Sequence, residues 1–393
     1  MKNISYIATG VFITLCISAC EVILPFDNES DTDKEGLVIN ALAVPDQPME
    51  AYITKTYRSS EEPPWTHGYA RPENPDTYYY EEYQINNINN LLNVYTGSES
   101  LKAEFKRDQL RDAKVEVVVN GTARYTMNYN NEKLCYKCDY KPRSDDEITL
   151  QVTRGEKEAQ ATAQIPTQPH IEIVDTKIEK RSAEGILDGT IYYTGNVVKM
   201  KLRIKEPDSQ RRYYKLRVRG VGLPSLAMYD SIRVINDFYS SNDLVFRDER
   251  LDKKWGGWPI FFSDVFENKA FAGTDYTVDI ETFAISRFLM PGYIIELQTL
   301  TEDYYRYLKS VMLYRIAASG PFAESVYIHS NSSSGWGILG AVNTDTHYML
   351  WKDGKYEICD KQTFIDEWVN KNQSITSKLT AMTAKPNTTP ATP

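Results

Sequence analysis

The chain has 393 residues, with 54 Asp and Glu against 45 Lys and Arg, a formal net charge of −9, and 28 tyrosines among its 12% aromatic residues. This is more than one typical domain. The acidic balance, with no basic patch standing out in the sequence, argues against nucleic acid as a partner.

In chain order, Lys2 precedes an apolar run from Ile4 to Ala19. The run falls short of the roughly 20 residues that cross a bilayer. With the small residues before Cys20, it reads as a signal peptide over residues 1–19. The tetrapeptide Ile17-Ser18-Ala19-Cys20 is similar to the lipobox of bacterial lipoproteins, whose Cys thiol becomes a thioether to diacylglycerol. A lipid on Cys20 is the expected anchor, and Cys16 leaves with the signal. Residues 20–36 form an acidic tether. Its Asp31 to Gly36 stretch opens like a calcium loop, but the twelfth position, where a carboxylate is required, is Leu42. Further on, the stretch from Phe283 to Leu300 comes nearest to a transmembrane run, and Ser286, Arg287, Pro291 and Glu296 interrupt it.

Strand signals begin at Leu37–Leu42 and Ala51–Thr56. They continue at Lys114–Val119, whose Asn120-Gly121 is a hairpin turn, and at the returning Ala123–Asn128. Glu147–Val152 and Ala159–Ile165 complete an expected antiparallel β-sandwich of the Ig-like kind over residues 37–165. A long insertion, residues 58–112, interrupts it. The insertion contains Pro63-Pro64-Trp65 and Tyr78-Tyr79-Tyr80, and connections of this length are commonly functional. Trp65, Tyr78, Tyr79 and Tyr80 are therefore the candidate binding contacts: aromatic rings offer contact area with few rotors to freeze.

Cys135-Tyr136-Lys137-Cys138 is a lone C-x-x-C with no second pair to complete a zinc site. It lies among Tyr-rich strand-like segments rather than at a helix start. A hairpin disulfide or free thiols fit it better than redox chemistry.

Ile165 to Pro169 reads as a linker to a β-rich C-terminal domain, residues 166–371. Its strand candidates are Ile171–Lys177, Val197–Ile204, Tyr213–Val218, Tyr276–Ile280, Tyr293–Thr299 and Ser325–His329. One amphipathic helix follows Thr299-Leu300-Thr301-Glu302, which has capping-box spacing. Its stripe is Tyr304, Leu308, Val311, Met312 and Arg315. A shorter helix is expected at Thr363–Asn370. Residues 372–393, rich in Thr, Ser, Lys and Pro, are expected to be disordered, like the N-terminal tether.

Catalytic patterns are missing from the sequence. The four histidines have neither H-x-H nor H-E-x-x-H spacing. Gly335-Trp336-Gly337-Ile338-Leu339-Gly340 matches G-x-G-x-x-G, but it sits in a β-rich context without the parallel βαβ unit that nucleotide binding requires. Its glycines instead suit a tight turn and close packing. No metal site and no cofactor are expected.

These features together resemble a family of Bacteroidetes lipoproteins, the domain-of-unknown-function 4249 family. The resemblance rests on Leu37-Val38-Ile39-Asn40 after the lipobox, Arg212 to Val218, Phe262-Ser263-Asp264 with Phe266 and Phe271, Tyr304 to Ser310, and Ser330-Asn331 leading to Gly337 to Ala341. It implies an outer-membrane lipoprotein, lipid-anchored and exposed at the surface or facing the periplasm. The implied partner is a TonB-dependent transporter of the SusC type. No catalytic residues come with the resemblance. The expected function is therefore a non-enzymatic accessory or ligand-capturing role, with the ligand undetermined. The competing readings are a structural or adhesive surface protein, and a hydrolase whose carboxylate pair assembles only in space.

Overall fold

The computed structural model describes residues 36–56, 110–131, 133–184, 191–222, 233–235, 239–248, 254–255, 258–259, 263–283, 292–318 and 326–367. The chain is mainly β, as expected, and forms two packed β-layers around each of two cores.

The first core belongs to β1 (Leu37–Ala43), β2 (Met49–Lys55), β3 (Lys114–Val119), β4 (Ala123–Asn130), β5 (Cys135–Cys138), β6 (Glu147–Arg154) and β7 (Lys157–Gln164). Alternation does the work here. Leu37, Ile39, Ala41 and Ala43 of β1 turn inward while the residues between them stay half-exposed. Each fully buried aliphatic side chain of this kind contributes about 1.5–3 kcal/mol. Neighbours pair antiparallel in the order β1-β2-β5-β4-β3-β6-β7. The β3–β4 hairpin turns where the sequence places it. Asn120 and Gly121 both take positive φ, 50° and 68°, as a type I′ turn requires.

The second core lies between two sheets. One contains β8 (His170–Glu184), β9 (Ile191–Lys205), β12 (Tyr239–Ser240) and β16 (Tyr276–Phe283), in the order β12-β16-β9-β8. The other contains β10 (Tyr213–Gly222), β11 (Arg233–Ile235), β15 (Val265–Glu267), β17 (Gly292–Leu300), β18 (Gly337–Lys352) and β19 (Lys355–Cys359). A two-stranded piece, β13 (Lys254–Trp255) with β14 (Trp258–Pro259), stands apart from both. Tyr293, Ile295 and Leu297 of β17 enter the core, and Ile294 and Leu300 face outward to the helices.

Helix α1 (Glu302–Ala318) covers that outer face with Tyr304, Tyr305, Leu308 and Met312 against Tyr213, Val265, Leu300 and Val342. The residue before it is Thr301, whose N–H donates to Ala341 O at 3.0 Å and whose Oγ1 accepts from Ala341 N at 3.4 Å. Thr299, the first residue of the expected capping box, is instead a buried strand residue of β17. The second helix, α2, spans 361–367. It starts two residues earlier than expected, because Asp360 caps it through Thr363 N–H (2.9 Å) and Thr363 Oγ1 (2.6 Å).

Strand β18 overturns the division into two sequence-contiguous domains at Pro166–Pro169. Its residues Gly337–Ala341 pair parallel with β1, alongside Ile39–Ala43, and its next nine residues pair antiparallel with β17. Leu339 and Ala341 sit in the first core and Met349 in the second. A continuous ladder thus runs from β11 to β7 through one shared strand.

The glycines make this possible. Gly337 has φ +86°, and a Cβ there would lie 2.0 Å from Ile39 O. A Cβ on Gly340 would lie 2.5 Å from the Tyr304 ring. Close packing, not phosphate cradling, is what the G-x-G-x-x-G match provides.

The serines before β18 close the first sandwich. Ser333 N–H donates to Gln160 O (2.8 Å), Gln160 N–H donates to Ser333 Oγ (2.9 Å), and Ser334 Oγ donates to Leu37 O (2.6 Å). Residues 326–330 are not the strand expected at Ser325–His329. Their polar groups turn to α1 instead, with His329 N–H donating to Ser310 Oγ and the His329 ring against Asp303.

Two further boundaries change. Leu110 is buried in the first core and Asp112 pairs with Arg154, so the expected insertion 58–112 ends before residue 110. The C-x-x-C is a strand, β5, with both thiols free. Extended residues three apart point to opposite faces, so no hairpin disulfide forms.

Candidate functional site

The site arises where the first sandwich parts. β4 pairs with β3 over Ala123–Met127 but with β5 only over Asn128–Asn130. After β5 the chain turns away to follow the start of β2. Met49 N–H donates to Tyr140 O (3.1 Å) and Asp46 N–H to Pro142 O (3.0 Å). Between β4 and residues 138–143 a groove of about 910 Å³ opens.

Tyrosines bridge the seam. The Tyr125 and Tyr140 rings stack across it, centroids 4.6 Å apart at 27°. The Tyr129 ring meets Tyr136 edge-on at 5.3 Å, with the Arg111 guanidinium 5.8 Å from its centroid. Tyr140 OH donates to Asp146 Oδ2 at 2.5 Å. Burial, and then the Asp146 charge, push the Tyr140 phenol well above its ordinary pKa, so it remains a neutral donor. Asp146 also accepts from Arg143 N–H (2.8 Å) and Asn120 Nδ2 (3.0 Å). Burial would raise this carboxyl, but the hydrogen bonds prevail and hold it below the usual carboxylate range.

Four cations line the groove: Arg124, Lys137, Lys141 and Arg143. Among the described residues none of them forms a salt bridge. Arg124 Nη1 donates to a neutral amide, Gln151 Oε1, at 3.0 Å. One lining carboxylate, Asp139, opposes them, and Thr126, Asn128 and Asn130 add hydroxyl and amide groups. Cys138 reaches the groove as well, but burial raises its thiol pKa. Cys135 is pushed up to about 11, by burial first and Glu50 second. Such thiols are poor nucleophiles at neutral pH. The lining pairs no nucleophile with a histidine base.

Charge clusters elsewhere close on themselves. Glu206 is buried and accepts from Tyr214 OH (2.8 Å), Asn268 Nδ2 (3.0 Å) and Arg212 Nη1 (3.3 Å). Lys309 Nζ donates to Asp248 Oδ2 (2.9 Å) and Ser263 Oγ (2.8 Å). Arg219 Nη2 meets Glu296 Oε1 at 2.8 Å. Asp345 Oδ2 lies 3.4 Å from His170 Nδ1 and 3.3 Å from His347 Nε2, and accepts from Ile171 N–H at 2.9 Å. Among the described residues no group of three His, Cys, Asp or Glu is placed to hold a metal, and no helix is long and apolar enough to cross a membrane.

Cys20, Trp65, Tyr78, Tyr79 and Tyr80 lie outside the described residues. The sequence alone singles out no basic patch, and the groove gathers four cations. Residues 124–143 hold five Lys and Arg against two Asp and Glu, in a chain that is acidic overall. That local excess was the available signal.

No curated protein matches the chain. A solved structure described as a membrane-anchored protein from Corynebacterium diphtheriae aligns over 68% of this chain and 55% of its own length, at 12% identity. Its TM-score of 0.18 is below the level at which a shared fold follows. The model of a family described as Domain of unknown function (DUF4249) matches residues 23–347, which takes in both sandwiches and the shared strand up to His347. On that match, the chain belongs to the DUF4249 family.

Proposed function

We propose that the protein is a lipid-anchored, non-enzymatic component of the bacterial outer membrane that captures a ligand in the groove of its first sandwich, beside a TonB-dependent transporter. The observation that supports this most is the set of four groove cations that form no salt bridge among the described residues. Exposed cations cost little when unpaired, and four gathered in one groove raise the local positive potential. Cations left open over a tyrosine floor suit an incoming partner. The lipobox-like segment ending in Cys20 supports the anchor. Trp65, Tyr78, Tyr79 and Tyr80 of the insertion join the proposal as further contacts. The insertion returns at Leu110, whose N–H donates to Ile53 O in β2 at 2.9 Å.

The test is fractionation and co-purification of the full chain from envelopes. Cys20→Ala should release the protein from membranes or stall its processing, and unchanged membrane attachment would remove the anchor. A β-barrel transporter should co-purify with the wild type. Replacing residues 60–109 by a short Gly/Ser linker should reduce that capture. Undiminished capture by a folded variant would remove the insertion from the binding surface.

A further inference from the structure

We infer that the groove takes an acidic carbohydrate, a short chain of sugar rings carrying negative charges. This rests on the groove being the capture site and names the chemistry it reads. Three observations converge. The first is charge: Arg124, Lys137, Lys141 and Arg143 face one groove, and an anion there would gain charge-assisted hydrogen bonds that no described carboxylate already satisfies. The second is the aromatic floor. Tyr125 is 38% exposed despite its stacking on Tyr140, leaving ring surface open to the apolar C–H face of a sugar.

The third is the hydroxyl and amide groups of Thr126, Asn128 and Asn130, in a lining that has one carboxylate, Asp139, against the four cations and no Leu, Ile, Val, Met or Phe. An apolar or lipid ligand would meet the tyrosine rings but no aliphatic side chain, and would bury charged and hydroxyl groups beside them. Sugar hydroxyls would find donors and acceptors.

A peptide strand is the rival occupant, because Ala123–Met127 of β4 lack a strand partner on the β5 side. The stacked rings of Tyr125 and Tyr140 already bridge this edge, and an added strand would have to displace that stack. The volume of about 910 Å³ lies near the top of the range of roughly 300–1,000 Å³ for small-molecule sites. It therefore suits a short oligomer better than a single sugar.

The experiment is calorimetric titration of the full-length protein in detergent with four probes: an oligogalacturonate, a neutral oligoglucose of the same length, an oligoglutamate and inorganic phosphate. The oligogalacturonate should bind, and its affinity should fall as salt rises. Lys141→Glu combined with Arg143→Glu changes two exposed side chains, and circular dichroism checks that the fold is kept. The double variant should weaken oligogalacturonate binding about tenfold or more, the scale of a lost charge-assisted hydrogen bond. Tyr125→Ala should weaken it as well, and the neutral sugar and phosphate should compete poorly. If the neutral sugar binds equally well, the role of charge is overturned. If oligoglutamate binds as tightly and ignores Tyr125→Ala, the carbohydrate assignment falls while the groove stands as a capture site. If no probe binds, the assignment and the capture reading fall together.

Discussion

The two sandwiches treat charge in opposite ways. In the second, buried carboxylates and cations are matched. Glu206 is enclosed by Arg212, Tyr214 and Asn268, Lys309 by Asp248 and Ser263, and Glu296 meets Arg219. In the first, Lys133 meets Glu50 and Arg154 meets Asp112, but four cations stand at an open seam without salt bridges among the described residues. Matched charges in a low-dielectric interior fix geometry, and removing one partner strands the other. Unmatched charges at a surface cost little and remain available. The difference teaches where to look for stability and where to look for recognition.

The largest effect should come from the second sandwich. Glu206→Ala leaves Asn268 Nδ2 and the Tyr214 hydroxyl without their shared buried acceptor, while Arg212 keeps Asp208. It should cost about 3–5 kcal/mol of stability, with roughly 1–3 for each buried donor left short of a partner, read by denaturant unfolding. Groove binding should be untouched in whatever fraction stays folded. A small loss would break the contrast, since it would mean that the matched cluster is not structural.

Next comes the link between the halves. Gly337→Ala forces a side chain against Ile39 O at positive φ, and should cost about 2–3 kcal/mol. Both sandwiches share β18, so probes of the two cores should lose structure in one coincident transition. Two separated transitions in the wild type would restore the two-domain view.

A smaller, pH-dependent effect sits at the junction. The hydrogen bond to Asp345 raises the pKa of His347, against burial. Burial would raise Asp345, but its bonds to His347 and Ile171 N–H depress it. A raised histidine gives stability that is full below its unfolded pKa and fades as pH rises through the folded value. A depressed carboxylate gives stability that is present above its unfolded pKa and fades as pH falls through the folded value. The pair therefore contributes most between about pH 4 and 6.5, the two unfolded references. The penalty of Asp345→Asn should peak in that window and shrink toward pH 8. A penalty that is flat with pH would show that the pair is not ionised there.

The smallest effects belong to the first sandwich. The groove variant Lys141→Glu should move stability by no more than about 0.5 kcal/mol, as exposed sites do, and Tyr125→Ala by about 0.5–1.5 kcal/mol for the lost stacking on Tyr140. Cys135 and Cys138 should resist alkylation in the native protein and react once it is unfolded. Rapid native labelling would show that the seam opens further than its tyrosine bridge allows.

What the sequence disclosed follows the range of the interactions. Lys114–Val119 and the Asn120-Gly121 turn are local patterns, and the structure has them in place; of the expected α1 stripe, Tyr304, Leu308 and Met312 pack on the sheet, joined by Tyr305. β18 was hidden because Gly337-Ile338-Leu339-Gly340-Ala341 is buried on both faces and shows no alternation. Its partner β1 lies some three hundred residues away, and periodicity says nothing about partners so distant. The groove was hidden for a related reason. Arg124 lies on one strand and Lys141 and Arg143 lie beyond the next, so only the seam gathers them. Ser332 to Ser334 do the work of a missing strand by joining β7 to β1.

The seating of β1 between β2 and β18 has a mechanical consequence. A pull along the chain from residue 36 would act along the axis of β1, loading its antiparallel ladder with β2 and its parallel ladder with β18 at the same time. Hydrogen bonds loaded along the strand resist together, whereas bonds peeled from one end yield in turn. Because β18 continues into the second core, tension entering at the first strand is spread over both sandwiches before any single element can slip.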